Sequence, residues 1–535
     1  MRYVIALVWI IISAPTDLGS QIFNRSNLPI VIIDTEGLQI FDEPKINATI
    51  RILDDEDGEN IFIQEEAKFE GRIGIELRGQ SSLQLFPKKG YGIEIRDADG
   101  NDLDTTILGM PAGSDWVIHS PYSDKSLIRN ALAYQLAGQI MDYAPRVRLA
   151  ELVINGEYLG VILWTEKIKR GKDRVDISKL KADENEGDDL TGGYIVKFDK
   201  GENHEVAWTS SFRPIPGQTQ NTRFLYHYPK ESVITDQQTQ YIRDYITSFE
   251  NVLMSDGFDD PVNGFRKYAD ASTFIQLFII NEISRNVDGY RLSTYMYKDK
   301  DSKGGLLKMG PVWDYNLAFG NADYCSGSAI SGWAYNFNTV CPQDFWVNHV
   351  WWLRLLEDQR FRQELKDTWR ELRATTFTDE ALLGLIDDMT SQLNQAQQRN
   401  FQKWRVLGSY VWPNNFVGSS YASEVIYLKD WLIGRVAWLD DNFRALTTAV
   451  EDIEKKETLV YPNPSSDIIT FDFSNFDTRP EVIEIYNQLG QLILRKEIKS
   501  VAMDVSLHQW SAQTLYYRLI SSDKIIEYNQ VQIIN

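Results

Sequence analysis

Between residues 28 and 99 apolar positions alternate with polar ones or run together in short stretches bounded by turn residues: LPIVIID (28–34), RIGIELRG (72–79) and YGIEIRD (91–97). A period of two puts one set of side chains on one face of a sheet, so these segments are predicted strands. The period then changes. In DKSLIRNALAYQLAGQI (124–140), Leu127, Leu132, Leu136 and Ile140 recur at three-to-five spacing, which predicts an amphipathic helix with Asp124 or Ser126 as N-cap. RLAELVING (148–156) and YLGVILWTEKI (158–168) return to the strand pattern, and the Asn155-Gly156 pair between them favours a tight hairpin turn. After an acidic loop at 183–189, GGYIVKFD (192–199) reads as a further short strand.

Beyond Thr235 the pattern becomes mostly helical. It is interrupted by a hairpin of STYMYK (293–298) and GLLKMGPVWD (305–314) around a turn rich in Asp, Lys and Gly. Residues 345–445 read as all-helical, with Trp351, Trp352, Trp369, Trp404, Trp431 and Trp438 at core positions. A charged stretch then runs into YPNPSS (461–466), where Pro and Asn break any helix, so a linker is placed at 446–458. The remaining segments, 459–535, read as the short strands of a small all-β sandwich. The expected class is therefore α+β: a β-rich part at about 28–200, a helical part at about 235–445, and a terminal β domain.

With 535 residues, 43% of them hydrophobic, the chain has material for a large core and two to four domains. The excess of 76 Asp and Glu over 55 Lys and Arg gives a formal charge of −21, a field that repels nucleic acid and anionic membranes. Met1 and Arg2 precede an apolar run at 3–14, too short to span a bilayer comfortably, which reads as a signal peptide over 1–20. No later run is long enough for a transmembrane anchor. Only Cys325 and Cys341 are present, and an even pair in an exported chain suggests a disulfide, two free buried thiols being the alternative. His119, His204 and His227 are too scattered for a metal-ligand spacing.

Phosphoryl transfer asks three things of a protein: cations against the phosphates, carboxylates for a divalent metal, and a nucleotide pocket. Asp288, in NEISRNVDGYRLSTY (281–295), follows the apolar helix STFIQLFII (272–280) and precedes the hairpin; Asp314, in GPVWDYNLAFGN (310–321), follows it. A hairpin returns the chain to its start, so the two carboxylates are expected near one another and able to hold Mg²⁺ or Mn²⁺. Either Asp alone is more often a turn or cap residue; their bracketing of a hairpin, the order found in protein kinases, is what singles them out. In RGQSS (78–82), Ser81 and Ser82 offer backbone N–H groups to a phosphate, and FPKKGY (86–91) sets Lys88 and Lys89 at the start of a strand. Lys197 is a second candidate for the phosphate role, and solvated strand-edge lysines are the alternative for all of them. Glu166 ends the last long strand, where a kinase hinge sits. Arg129 and Asn130 occupy the helix turn in which kinases carry a Glu, so no Lys–Glu pair is expected, and the chain contains neither HRD nor DFG.

Several of these motifs, in order, resemble the CotH kinase family: GRIGIELRGQSS, FPKKGYGIEI, ILGMPAGSDWVIHSPYSDKSLIRNALAY, NGEYLGVILWTEKIKR, GGYIVKFDK and VWDYNLAFGN, spread over about residues 28–445. The resemblance implies a diverged protein-kinase-like two-lobe fold and ATP-dependent phosphorylation of protein Ser or Thr with Mg²⁺ or Mn²⁺. Carried over, Asp288 looks like the catalytic or metal-binding Asp, Asp314 like a metal ligand, and Lys89 like the phosphate lysine. Many members carry an Asp two positions after the motif Asp, where this chain has Asn316, an amide oxygen that coordinates without charge. YPNPSSD, EIYNQLGQLI and LYYRLI resemble the type IX secretion sorting domain of Bacteroidota, which implies export through the periplasm and outer membrane to the surface or the medium. The implied partners are an exported Ser/Thr protein and the type IX machinery. The alternative is a non-catalytic kinase-fold surface adhesin or structural protein.

Overall fold

The computed structural model describes residues 24–55, 58–61, 66–201, 207–446, 458–474, 476, 479–488, 491–521 and 524–534. The expected leader, His204 and residues 447–457 of the expected linker lie outside them. The chain divides into two compact units, one up to residue 447 and one from residue 448.

Seven strands of the first unit form one sheet: β1 (Ile30–Asp34), β2 (Ile46–Leu53), β3 (Phe69–Arg78), β4 (Gly90–Arg96), β5 (Asp115–His119), β6 (Val147–Ile154) and β7 (Glu157–Glu166). They run in the order β6-β7-β5-β4-β3-β2-β1 and close into a barrel because β1 lies parallel to β6, with Val31 opposite Leu152. Closure leaves none of the seven with a free edge. Inward alternating positions such as Ile50, Ile75, Ile93 and Ile162 are buried around the paired indoles of Trp116 and Trp164, 5.9 Å apart. The barrel is thus filled by side chains.

Between β5 and β6 lies α1 (Arg129–Gly138). It starts five residues later than the expected 124–140 helix, because Leu127 is left-handed (φ 66) and cannot continue one. Asp124 closes the turn before it: its Oδ2 accepts from Arg129 N (2.8 Å), and its Oδ1 from Arg129 Nη1 (2.6 Å).

A second sheet comprises β8 (Tyr194–Phe198), β9 (Ala207–Thr209), β10 (Arg223–Tyr228), β11 (Thr294–Lys298) and β12 (Lys308–Met309), in the order β9-β10-β8-β11-β12. Helices α2 (Asp236–Leu253) and α3 (Ala271–Ser284) intervene between β10 and β11. After β12 come α4 (Gln359–Ala374), α5 (Asp379–Gln392), α6 (Ala396–Lys403) and α7 (Tyr421–Ala445). Trp351, Trp352, Trp369 and Trp431 are buried in one core with the apolar side chains of α3, whereas Trp438 only packs against it.

The expected split into a β-rich lobe and a helical lobe is corrected by this sheet. β8 lies in the first expected lobe and β11 in the second, yet they pair directly, Val196 opposite Met296. Their backbone hydrogen bonds join the two regions, and α6 is bound to the barrel through Trp404 Nε1 and Leu159 O (2.9 Å). Mixed α+β architecture with a closed barrel replaces a clear two-lobe arrangement.

The second unit holds two antiparallel sheets. One contains β13 (Leu459–Tyr461), β14 (Ile468–Asp472) and β17 (Ala502–Ser506); the other contains β15 (Val482–Tyr486), β16 (Leu492–Glu497), β18 (Thr514–Ser521) and β19 (Lys524–Gln532). Ile469, Phe471, Ile483, Leu515, Tyr517 and Val531 form their shared core, the alternation expected of a small sandwich. Among the described residues no helix is long and apolar enough to cross a membrane.

Candidate active site

Asp270 caps α3 by accepting from Ser272 N (3.1 Å), and the helix ends at Arg285, whose left-handed backbone (φ 43) turns the chain into the loop carrying Asp288. Asp314 lies beyond the β11–β12 hairpin and is itself left-handed (φ 66). Asn286 links the two: its Oδ1 accepts from Asp288 N and its Nδ2 donates to Asp314 O, each at 3.2 Å. The far side of the Asp314 turn is fixed by α1, because Asp314 N donates to Tyr134 Oη (3.2 Å) and Tyr315 N to Asn130 Oδ1 (2.6 Å). Seven of the eleven left-handed non-glycine residues among those described fall between Arg285 and Ser326. Strained backbone of this kind concentrates where a fold over-determines a site.

Asp314 is half-buried and its carboxylate accepts no hydrogen bond from the described residues. Burial, then the nearby charges of Asp288 and Asp199, push its carboxyl up to about 7, against the opposing pull of Lys200 and Arg78. The Arg78 guanidinium lies over the Trp313 ring, 5.8 Å from its centre, and forms no salt bridge among the described residues. Lys200 Nζ reaches Ser81 Oγ (3.5 Å), and Asp199 is flanked by its own neighbour's N–H (2.8 Å) and Lys197 Nζ (3.3 Å). The Asp314 carboxyl thus lies near two other carboxylates, Asp288 and Asp199, and near two cations, Arg78 at the end of β3 and Lys200 just after β8. Among the described residues no three His, Cys, Asp or Glu side chains converge closely enough to hold a metal by themselves.

The other expected site residues are placed differently. Lys88 is buried, and its Nζ donates to Val161 O (2.5 Å), Asn400 Oδ1 (2.9 Å) and Pro121 O (3.1 Å), fastening α6 to the barrel. Lys89 Nζ donates to Leu83 O (2.6 Å) and Phe86 O (2.7 Å), shaping the turn that starts at Ser81. Ser82 O accepts from Phe86 N (3.0 Å) in the same turn. Glu166 is buried and its carboxylate is bound by Arg146 Nη1 (3.0 Å) and Tyr143 Oη (3.1 Å). The backbone carbonyl of Asn316 accepts from Asn321 Nδ2 (2.8 Å), and its side-chain amide forms no hydrogen bond among the described residues. Cys325 and Cys341 are joined by a disulfide.

Arg78, Asp199, Lys200, Asn286 and Arg291 were missed from sequence. All stand inside or beside quoted motifs, RGQSS, GGYIVKFDK and NVDGYR, but a single sequence gives no reason to prefer the Arg of RGQSS over its Gly and Ser. Asn130 was noted only as the residue in place of a Glu; its role is to hold the Asp314 turn.

Residues 75–439 match the family model described as CotH kinase protein, and residues 459–533 that described as secretion system C-terminal sorting domain. The chain is 23% identical over 367 residues to "Inner spore coat protein H" of Bacillus subtilis (strain 168), covering 67% of this chain and 84% of that protein. The sorting domain marks the chain for export to the cell surface or the medium. With the first match spanning well over half its length, the chain belongs to the CotH kinase protein family.

Proposed function

We propose that the protein is an exported kinase of the diverged protein-kinase type that transfers the γ-phosphoryl group of ATP to Ser or Thr hydroxyls of secreted or surface proteins. The observation that carries this reading is Asp314: a half-buried carboxylate with no hydrogen-bonded partner among the described residues, raised to about 7, beside a second carboxylate and opposite Arg78 and Lys200. Leaving such a group uncompensated is unfavourable unless a ligand completes it.

Two carboxylates and an amide are too few for a protein-only cage, but they match a hard cation that shares its shell with phosphate oxygens. Asp314, Asn316 and Asp288 would hold Mg²⁺ or Mn²⁺, which when bound neutralises charge on the transferring phosphoryl group. Arg78 and Lys200 supply fixed positive charge to the phosphates. The attacking hydroxyl gives up its proton to solvent as the new O–P bond forms and the bond to ADP breaks.

The test is label transfer from γ-labelled ATP with Mn²⁺ to Ser- and Thr-containing peptides by the full-length protein. Transfer that is lost in Asp314→Asn supports the kinase. Bound nucleotide without transfer supports a kinase-fold binding protein instead, and phosphate release without an acceptor supports a hydrolase.

A further inference from the structure

Asp288 is held by Arg291, whose Nη2 donates to its Oδ1 at 2.8 Å. Arg291 is itself buried, and most of its other anchors lie in a segment distant in sequence. Its Nη1 donates to Trp346 O (2.7 Å) and Asp344 Oδ1 (3.2 Å), its guanidinium stacks 4.1 Å above the Phe337 ring, and its Nε donates to Val287 O (2.7 Å). At the start of the same loop, Arg285 Nε donates to Ser326 O (2.8 Å) and its Nη1 to Gly332 O. Both arginines that bracket Asp288 therefore grip residues 326–346.

That segment has little regular structure of its own: a 3₁₀ turn at Ala334–Asn336 and a four-residue helical turn at Phe337–Val340. It is closed on itself by Cys325–Cys341. Cys325, Gly327 and Phe337 line a small cavity together with Arg285, Asn286 and Val287, so the cross-link lies directly against the Asp288 loop.

We infer that Arg291 is a positioning residue for Asp288 and that its grip depends on the Cys325–Cys341 disulfide, so that the site is set only once the chain has left a reducing compartment. The inference rests on the phosphotransfer reading of the Asp288–Asp314 site. With the bond open, residues 328–335 remain held by α7 and α3 through Trp431 Nε1 to Ser328 O (2.7 Å) and Ala334 N to Glu282 Oε2 (2.8 Å), whereas the turns carrying Phe337 and Asp344 lose their covalent tie to Cys325, and irregular segments of that kind open locally at low free energy. Disulfides form outside the cytosol, so an exported chain acquires the brace after synthesis and does not act before.

Full-length protein is assayed oxidised, reduced and re-oxidised, beside the Cys325→Ala/Cys341→Ala, Arg291→Ala and Arg291→Lys variants, with hydrogen exchange followed in parallel. Reduction and the double Cys variant are expected to lower kcat about a hundredfold, the scale of an ångström-level misplacement, while the KM for ATP changes less than about twofold. Re-oxidation restores kcat, and Arg291→Lys retains more activity than Arg291→Ala. Residues 285–291 exchange faster on reduction while β3 does not. Unchanged kcat after reduction, or unchanged exchange at 285–291, overturns the inference. So does a joint loss of kcat, ATP affinity and β3 protection, which marks general loosening. If the oxidised wild type transfers no phosphoryl group, the kinase reading fails, and the exchange data still decide whether the disulfide holds the loop.

Discussion

Lys88 and Lys89 are adjacent, yet only one is buried. Three acceptors surround Lys88 Nζ, matching the three protons of an ammonium, while burial pushes its pKa down to about 7 against the pull of Asp124. The unfolded chain keeps this proton to about 10.5, the folded one only to about 7, so between those values the unfolded state binds more protons and stability rises with pH. Relative to Lys88→Met, the wild type is expected to gain up to about 1.4 kcal/mol per pH unit above pH 7 in urea unfolding; a parallel pH profile contradicts this. Arg78 carries a different expectation. Arg78→Gln removes a charge from the phosphate side and should raise the KM for ATP about ten- to a hundredfold in steady-state kinetics, with the unfolding midpoint little changed. Asp314→Asn should reduce transfer by about a hundred- to a thousandfold. Metal-free, it should also melt higher than wild type above pH 7, since it removes a buried charge. From sequence the nearness of Asp288 and Asp314 was legible because they bracket a hairpin. Arg78 and Lys200 were not, because which cation faces a carboxylate depends on barrel closure that no local pattern encodes.

At the level of elements, α3 is the pivot of the site: nearly all of it is buried, and it delivers the Asp288 loop. Its Glu282 pairs with Arg435 of α7 at 2.9 Å, both fully buried. Burial raises the carboxyl and lowers the guanidinium to about 10, while Ala334 N (2.8 Å) and Tyr335 N (2.9 Å) also donate to Glu282. Removing one partner strands the other, so Arg435→Leu is expected to destabilise by about 3–5 kcal/mol in chemical denaturation; a loss below 1 kcal/mol contradicts the account. Long periodic segments such as α2, α3, β6 and β7 are legible in the chain because burial and propensity agree there. The start of α1 was misread because Asp124, a good N-cap by type, closes a preceding turn instead. β2 was passed over although Ala48, Ile50 and Ile52 alternate inward, and the five-residue β5 has polar residues at both ends.

On the scale of the whole molecule, two units with separate cores share one acidic chain. Calorimetry should resolve two transitions, and a chain ending at residue 446 should keep the first within about 2 °C while losing the second; a single shared transition contradicts separate cores. The α+β class was readable from the succession of periods. The closed barrel and the β8–β11 pairing were not, because parallel closure and pairing across about a hundred residues of sequence leave no short-range signature. The proposed function depends on Arg78, at the end of a barrel strand, and Lys200, just after β8, lying near the Asp314 carboxyl beyond the hairpin. Anomalous diffraction at the manganese edge, from crystals of the full chain grown with Mn²⁺ and a non-hydrolysable ATP analogue, tests that arrangement directly. Manganese is expected between Asp314 and Asp288, with analogue phosphates against Arg78 and Lys200. Manganese or nucleotide seated elsewhere, with Asp314 unliganded, would contradict it.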